Sequence, residues 1–209
     1  MKIHWEQQGD YNFDPNKRYV VYYPGCFGPP HRGHFNTAKR FLDAGENISV
    51  IIHQKGLKSR HNVPYEINKK IWEIYIDELL PRERVVLIRN NGRRGNVLDH
   101  PLLKRADVVL MVCNNESGGG VNQQFNNHLC QIFGNMIRRL RRIKIEPVIF
   151  VGERPTVKTL SATKFVETII GYKEGRISRD RLSYFLPDGL PSTRGDEIIS
   201  RLSSCYVKV

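Results

Sequence analysis

The sequence predicts an α/β fold in which helices cover both faces of a parallel sheet. The first observation is a set of short runs, each continuously apolar and rich in β-branched residues, as expected of strands buried on both faces. The second is that segments with helical spacing separate these runs, an alternation typical of βαβ units. We therefore predict a Rossmann-like parallel sheet of five strands at about residues 18–24, 47–53, 84–89, 106–113 and 147–151.

The segments between these strands carry the periodicity of amphipathic helices. In the first of them Phe35, Ala38, Phe41 and Leu42 fall on one helical face, and Gly45 is a suitable stop signal. The other segments repeat this pattern at different lengths. We predict helices at about residues 32–43, 65–80, 101–104, 122–142, 161–172, 177–184 and 193–203.

The chain has 209 residues, which is enough to bury a substantial core within one domain. It contains no internal repeat and no linker long enough to divide it. Residues 1–17 are polar and rich in turn-forming residues, so we predict an N-terminal extension there. Residues 18–209 then form the α/β domain, and its C-terminal part, about 161–209, is helical.

Composition and charge narrow the classes of partner. The 33 basic residues against 21 acidic ones give a formal net charge of +12, which favours polyanionic partners such as nucleoside triphosphates, phosphorylated substrates or nucleic acid. No apolar run approaches the ~18–20 residues that span a membrane, and the N-terminus lacks an apolar signal core. The four cysteines show no metal-ligand spacing, so we expect reduced thiols and a cytoplasmic protein that does not bind membranes.

The most informative stretch runs from Tyr23 to His34. The first strand ends there, a turn rich in glycine and proline follows, and a helix opens with His31 and His34. Residues three apart share one face of a helical turn, so both imidazoles are expected to point the same way. We expect unpaired backbone N–H groups and the positive end of the helix dipole at the same place, which together favour a phosphate.

This stretch resembles the GxFxPxHxGH signature of the HxGH nucleotidyltransferase superfamily, whose members transfer a nucleoside monophosphate from a nucleoside triphosphate. The positions that match in register are Gly25, Phe27, Pro29, His31, Gly33 and His34. Cys26 stands where Ser or Thr is usual, and Gly28 where Asp or Asn is usual. The resemblance implies that His31 and His34 are catalytic, and that the nucleotide contacts Gly25, Cys26, Phe27, Gly33 and His34.

A second motif lies about ten residues beyond the fifth strand. The stretch from Leu160 to Val166 resembles the superfamily's Ile-Ser-x-Thr-x-Ile-Arg signature, which implies that Ser161 and Thr163 bind triphosphate oxygens. Val166 stands where the arginine is usual, so we expect Lys164 or Lys158 to supply the charge. A lysine is a point charge where arginine is a planar fork. The later Leu186-Pro187 pair resembles a turn found in many relatives.

Further candidates follow from the same resemblance. Lys55, in the basic loop after the second strand, is expected to contact the substrate or the α-phosphate. Two lysines of the second helix correspond to a phosphate-binding arginine of relatives, and polar residues after the fourth strand are candidates for reading the base or the acceptor. We therefore assign substrate binding to Lys69, Lys70, Asn114, Asn115 and Glu116.

The implied reaction transfers AMP or CMP to a phosphorylated small-molecule acceptor and releases pyrophosphate. Charge neutralisation and alignment of two polyanions are the main tasks of such an enzyme. Mg²⁺ is the expected cofactor, held mainly by triphosphate oxygens rather than by protein ligands. The sequence does not choose between ATP and CTP, names no acceptor and gives no oligomeric state.

Two alternatives remain open. A non-catalytic nucleotide- or nucleic-acid-binding protein on the same fold is suggested by the departures at Gly28 and Val166, whereas a class I aminoacyl-tRNA synthetase core is disfavoured because 209 residues leave no room for a tRNA-reading domain. A basic cluster also invites a nucleic-acid interpretation. Because it lies at a predicted helix C-terminus and lacks interleaved aromatic residues, we favour a solvated face for Arg138, Arg139, Arg141, Arg142 and Lys144.

Overall fold

The computed structural model of the chain describes residues 2–5, 11–25, 27–54, 61–89, 99–115, 123–153 and 160–206. Its centre is a sheet of six strands in the order β1-β6-β5-β2-β3-β4, and every neighbouring pair is parallel. The strands are β1 (Lys2–Trp5), β2 (Tyr19–Gly25), β3 (Ile48–Gln54), β4 (Val85–Arg89), β5 (Val108–Asn115) and β6 (Glu146–Glu153).

The predicted fold class is confirmed, and each of the five predicted strands has its counterpart among β2 to β6. The sheet gains a sixth strand from the stretch that we predicted as an extension. Its residues, Lys2–Trp5, pair in parallel with Val148 to Val151 of β6 at the edge of the sheet. A four-residue run that alternates polar and apolar residues gives too weak a signal to be recognised as a strand.

The helices also follow the predicted periodicity. The helix predicted at about residues 177–184 is shorter in the structure, where it forms a single turn. The helices are α1 (Arg32–Asp43), α2 (Tyr65–Leu79), α3 (Pro101–Lys104), α4 (Gln123–Arg142), α5 (Ala162–Lys173), α6 (Asp180–Ser183) and α7 (Ser192–Ser204), and a 3₁₀ turn covers Arg82–Arg84. No helix in the described part of the chain is long and apolar enough to cross a membrane.

Two apolar cores lie on opposite faces of the sheet, because successive strand residues point to opposite sides. Val21 and Tyr23 of β2 face the larger core, which α1, α2, α5, α6 and α7 cover. Val20 and Tyr22 face the smaller core, which α3 and α4 cover with Leu103, Phe133, Ile137 and Leu140. The sheet is therefore covered on both faces, as predicted for a Rossmann-like fold.

The strand order reverses between β2 and β5. From β2 the chain builds the sheet outward through β3 and β4, and it then returns to place β5 and β6 on the other side of β2. In open α/β sheets the crevice beyond the carboxyl ends of the strands at such a reversal is the usual ligand site. Here that crevice lies beyond Gly25 of β2 and Asn115 of β5.

The packing of α5 can be tested at Phe165. Its ring is fully buried and stacks on Phe185, with ring centroids 4.9 Å apart and planes 7° from parallel. We expect Phe165→Ala to lower the free energy of unfolding by about 3–5 kcal/mol, because it removes a large buried side chain and leaves a cavity. Urea unfolding followed by circular dichroism measures this.

Tyr172→Ala on the same helix is the matched control, because the Tyr172 side chain is 36% exposed. We expect it to cost less than about 1 kcal/mol. Equal losses for the two variants would contradict the packing described for α5.

Candidate active site

The signature loop is held in the core by Phe27. Its ring is only 4% exposed and contacts the rings of Tyr23, His34 and Trp72 at centroid distances of 5.0, 5.1 and 5.4 Å. The ring folds back over Gly25, where an added Cβ would lie 2.6 Å from two ring atoms. Gly25 is therefore required for this turn, and the Phe27 side chain packs the loop rather than facing a ligand.

His31 and His34 cap the start of α1 by a reciprocal exchange. The Nδ1 atom of His31 accepts from the backbone N–H of Gly33 at 3.1 Å, and Nδ1 of His34 accepts from the backbone N–H of His31 at 3.3 Å. This is the geometry of a capping box with imidazoles in both roles. Because each Nδ1 accepts a hydrogen bond, each neutral ring carries its proton on Nε2.

The two imidazoles lie close together and share one environment. Their centroids are 3.9 Å apart, and their planes are inclined by 32°. Burial, and secondly the proximity of His31, lower the pKa of His34 well below its usual value of 6.5. At neutral pH His34 is therefore an uncharged ring whose Nε2–H group can donate to an anion.

The expectation of unpaired N–H groups at the start of α1 is wrong. The N–H of Arg32 donates to the carbonyl oxygen of Phe185 at 2.7 Å, that of Gly33 donates to the His31 ring, and that of His34 donates to the His31 carbonyl at 2.9 Å. The prediction left out side-chain caps and the approach of a distant segment. The donors that α1 offers to an anion are therefore its imidazoles.

The second motif lies directly beside the first. An added Cβ on Gly33 would lie 3.1 Å from Cδ2 of Leu160, the residue before Ser161, and 3.0 Å from Cε1 of His31. Phe185 connects the same two helix starts, since its carbonyl binds Arg32 of α1 and its ring stacks on Phe165 of α5. The structure thus brings together the two motifs that the sequence predicted to share a site.

The start of α5 offers donors that α1 does not. Ser161 caps this helix, because its Oγ accepts from the N–H of Lys164 at 3.2 Å. Thr163 Oγ1 lies 3.2 Å from Nε2 of His61. Within the described ranges the backbone N–H groups of Ala162 and Thr163 have no hydrogen-bond partner, so they can bind an anion at the positive end of the helix dipole.

Neither Val166 nor Lys164 of α5 presents a free cation to the site. Val166 is 7% exposed and belongs to the buried face of α5, so the position where relatives carry arginine is here part of the core. The Lys164 ammonium pairs with Glu167 at 2.8 Å on the exposed surface. Lys164 must leave this ion pair before it can contact a triphosphate.

The candidate substrate residues are only partly described. Lys69 and Lys70 both pair with Glu73, at 3.3 and 3.8 Å, and their side chains are 43% and 42% exposed. Asn114 and Asn115 are the last two residues of β5, at the carboxyl end beside the reversal of strand order. Other predicted site residues lie outside the described residues: Cys26, Lys55, Glu116 and Lys158.

The sequence analysis did not identify two residues that the structure places near the site. Arg32 pairs with Asp188 at 3.0 Å and lies over the ring of Tyr184 at 4.7 Å, which fastens the Leu186-Pro187 turn to the start of α1. His61 contacts Thr163 across a separation of 102 residues. No local spacing in the sequence indicates either contact.

The chemistry of the site suits an anion. In the part of the chain that the structure describes, no group of three or more His, Cys, Asp or Glu side chains could hold a metal ion. The groups gathered at the site are imidazoles, hydroxyls and backbone N–H groups, which donate to phosphate oxygens.

A parallel sheet with paired imidazoles and a second helix start at its switch point defines a nucleotide-binding α/β enzyme. The chain belongs to the cytidylyltransferase-like family, whose model matches residues 22–193, and this membership supports a nucleotidyltransferase. This agrees with the superfamily that the two sequence motifs resemble. No curated protein sequence matches the chain.

Solved structures with the same fold include two adenylyltransferases. A bifunctional NMN adenylyltransferase/ADP ribose pyrophosphatase from Francisella tularensis, complexed with AMP and a manganese ion, aligns with a TM-score of 0.54 at 15% identity. The alignment covers 90% of this chain and 52% of the Francisella chain, so the present chain spans about half of its length. The Plasmodium falciparum nicotinic acid mononucleotide adenylyltransferase complexed with APC aligns at 0.51 and 12% identity, covering 91% of this chain and all of the other (100%).

The lowered pKa of His34 predicts how stability depends on pH. The unfolded chain takes up a proton on this ring near pH 6.5, whereas the folded protein does so only at much lower pH. Stability contributed at this position is therefore present above pH 6.5 and is lost as the pH falls below that value. We expect the free energy of unfolding to fall between pH 7.5 and 5, and His34→Gln to weaken this dependence.

Urea titrations across this pH range measure the effect, and long-range ¹H–¹⁵N spectra test its cause, since both rings should carry their proton on Nε2 at pH 7.5. His100→Gln serves as the comparison: burial lowers the pKa of that ring as well, but less than that of His34, so this variant should weaken the pH dependence less than His34→Gln does. An unchanged pH dependence in His34→Gln would contradict the assignment.

Proposed function

We propose that the protein transfers a nucleoside monophosphate from a nucleoside triphosphate to a phosphorylated small molecule and releases pyrophosphate. The observation that carries the proposal is the adjacency of the His31–His34 pair to the start of α5, shown by the close approach of Gly33 to Leu160. One helix start supplies two imidazole donors, and the other supplies N–H groups and hydroxyls. Together they suit the α-phosphate and the tail of a triphosphate.

In this reaction an oxygen of the acceptor's phosphate attacks the α-phosphorus in line with the leaving group. A new phosphorus–oxygen bond forms, the bond between the α-phosphorus and the bridging oxygen breaks, and pyrophosphate departs. His31 and His34 donate from Nε2 to the oxygens on which charge develops. Ser161 and Thr163, with the N–H groups at the start of α5, hold the β- and γ-phosphates.

The other predicted residues take supporting roles in this proposal. Gly25, Cys26 and Gly33 let the nucleotide approach the backbone, and Phe27 holds the loop from the core. Charge comes from Lys55, and from Lys164 once it leaves Glu167. The acceptor contacts lie beyond the ends of β3 to β5, where we assign Lys69, Lys70, Asn114, Asn115 and Glu116.

Mg²⁺ is the proposed cofactor, held by triphosphate oxygens and water, and it neutralises charge on the phosphates when bound. The choice of donor draws on the structural neighbours, both adenylyltransferases with a mononucleotide substrate in their names. We propose ATP as the donor ahead of CTP, and a mononucleotide as the first acceptor to test. We also propose that the protein works in the cytoplasm, consistent with the free thiol of Cys205.

A protein that binds nucleotides or nucleic acid without catalysis is the second candidate. Two observations favour it. Val166 is buried where relatives carry arginine, and the cations at the end of α4 are all exposed and form no ion pair with a carboxylate of a described residue. These cations are Arg138, Arg139, Arg141, Arg142 and Lys144.

A substrate matrix separates the two candidates. ATP, CTP, GTP and UTP, each with Mg²⁺, are combined with mononucleotides, phosphopantetheine, phosphocholine and sugar phosphates, and pyrophosphate release is measured. We expect release with one donor and one acceptor class and none without the acceptor. Tight triphosphate binding with no release from any pair would favour the non-catalytic candidate.

The catalytic role of the histidines is tested by His34→Ala. Removing one donor that stabilises charge in the transition state costs about 10²–10³ in rate, so we expect pyrophosphate release to fall by at least that factor. His100→Ala is the matched control and should leave turnover unchanged. Near-normal turnover of His34→Ala with an unaltered melting temperature would contradict the proposed mechanism.

A further inference from the structure

Among the described residues at the start of α5, the group in hydrogen-bond reach of the Thr163 hydroxyl is an imidazole. Among the described residues, the side chain that contacts Thr163 is that of His61, with Nε2 3.2 Å from Oγ1. Lys164 is engaged by Glu167, and Val166 is buried. His61 is therefore the titratable group in direct contact with the hydroxyl assigned to the triphosphate tail.

The direction of this hydrogen bond decides what Thr163 can do. A hydroxyl has one proton to donate, and phosphate oxygens at neutral pH only accept. If the hydroxyl donates to Nε2, its lone pairs face the tail and repel it. If Nε2–H donates to Oγ1 instead, the hydroxyl proton is released for a phosphate oxygen. A bound triphosphate therefore requires the second arrangement.

The position of His61 is fixed by the C-terminal part of the chain. The Tyr206 hydroxyl donates to the His61 carbonyl oxygen at 3.0 Å. Burial raises the pKa of Tyr206 to about 12, so this donor keeps its proton at neutral pH. Lys173, at the end of α5, donates to the carbonyl oxygens of Ser203 and Tyr206 at 3.2 and 2.9 Å.

These contacts form a closed chain of interactions. It runs from Thr163 at the start of α5 to His61, then to Tyr206, then to Lys173 at the end of the same helix. Tyr206 holds the His61 backbone, and Thr163 contacts its ring. The network has no evident need for a histidine if its purpose is only to close the fold.

We propose that His61 is a positioning residue for the triphosphate: its Nε2–H donates to Thr163 Oγ1, so that the Thr163 hydroxyl donates to a β- or γ-phosphate oxygen. The inference rests on the proposed function, because it assigns this residue to the same triphosphate site. The contact is made equally in the ground state and the transition state, so it affects triphosphate binding more than the chemical step.

The test compares triphosphate binding and turnover in matched variants. For His61→Ala we expect the KM for the triphosphate, and its Kd measured by titration calorimetry with Mg²⁺, to rise by up to about tenfold, because the hydrogen bond that directs the Thr163 hydroxyl is lost. The kcat and the acceptor KM should stay within about twofold. His61→Gln keeps an N–H donor and should recover most of the binding.

A double-mutant cycle tests the coupling to Thr163. Thr163→Val should weaken binding by at least this factor, and combining it with His61→Ala should add little, because His61 can act on the triphosphate only through the Thr163 hydroxyl. Thr168→Val, whose hydroxyl donates to the Lys164 carbonyl on the same helix, is the control for Thr163, and His100→Ala is the control for His61. Tyr206→Phe keeps the imidazole and should raise the Kd by about threefold.

The outcomes separate this inference from the proposed function. If the wild type turns over and His61→Ala keeps its triphosphate Kd, the inference fails and the function stands. If the wild type binds triphosphate without turnover, the proposed function fails, and the Kd values still test His61. His61→Ala could instead lower kcat, both substrate affinities and the melting temperature together, with no rescue by His61→Gln. That result would show that His61 has only a structural role, and the inference would fail. A wild type that binds no triphosphate overturns both.

Discussion

The reciprocal cap at the start of α1 is the constraint on which the site depends. Backbone N–H groups of Gly33 and His31 occupy Nδ1 of the two imidazoles, and this fixes both the ring positions and the side of each ring that carries the proton. If either Nδ1 were protonated, two N–H groups would face each other and the cap would break. Folding and the proposed chemistry thus require the same tautomer, and burial, with the nearby His31 second, lowers the pKa of His34 and keeps its ring uncharged.

In the proposed reaction the two helix starts bind different phosphates of the nucleotide. At the start of α1 the backbone N–H groups already donate to other groups of the protein, so this helix offers its imidazoles. The start of α5 is capped by Ser161 and offers the N–H groups of Ala162 and Thr163. Their proximity depends on Phe185, which accepts from Arg32 and stacks on Phe165. The Leu186-Pro187 turn directly follows Phe185, so these contacts place it beside both motifs.

Sequence reasoning succeeded where the signal is local. Buried strands are continuous apolar runs, and helices repeat their apolar positions, so β2 to β6 and the long helices could be predicted. It failed where a contact joins distant segments. The Phe185 carbonyl that occupies the Arg32 N–H, and the His61 ring beside Thr163, come from parts of the chain far from their partners. The motif spacing predicted that the two histidines lie together at the start of α1. It did not predict their reciprocal cap, because the cap depends on the orientation of the rings.

The buried Val166 changes how a triphosphate can be held. An arginine at that position would bind two oxygens of one phosphate in a fixed plane, and its charge would not depend on its surroundings. Here the position is part of the core, so in the proposed site the lysines are joined by N–H groups whose directions are set by the backbone and by hydroxyls whose protons can turn. A hydroxyl donates to phosphate only when its single proton is not already committed to a neighbouring acceptor. The loss of one charged fork therefore makes the orientation of Thr163, and the group that controls it, more important for binding.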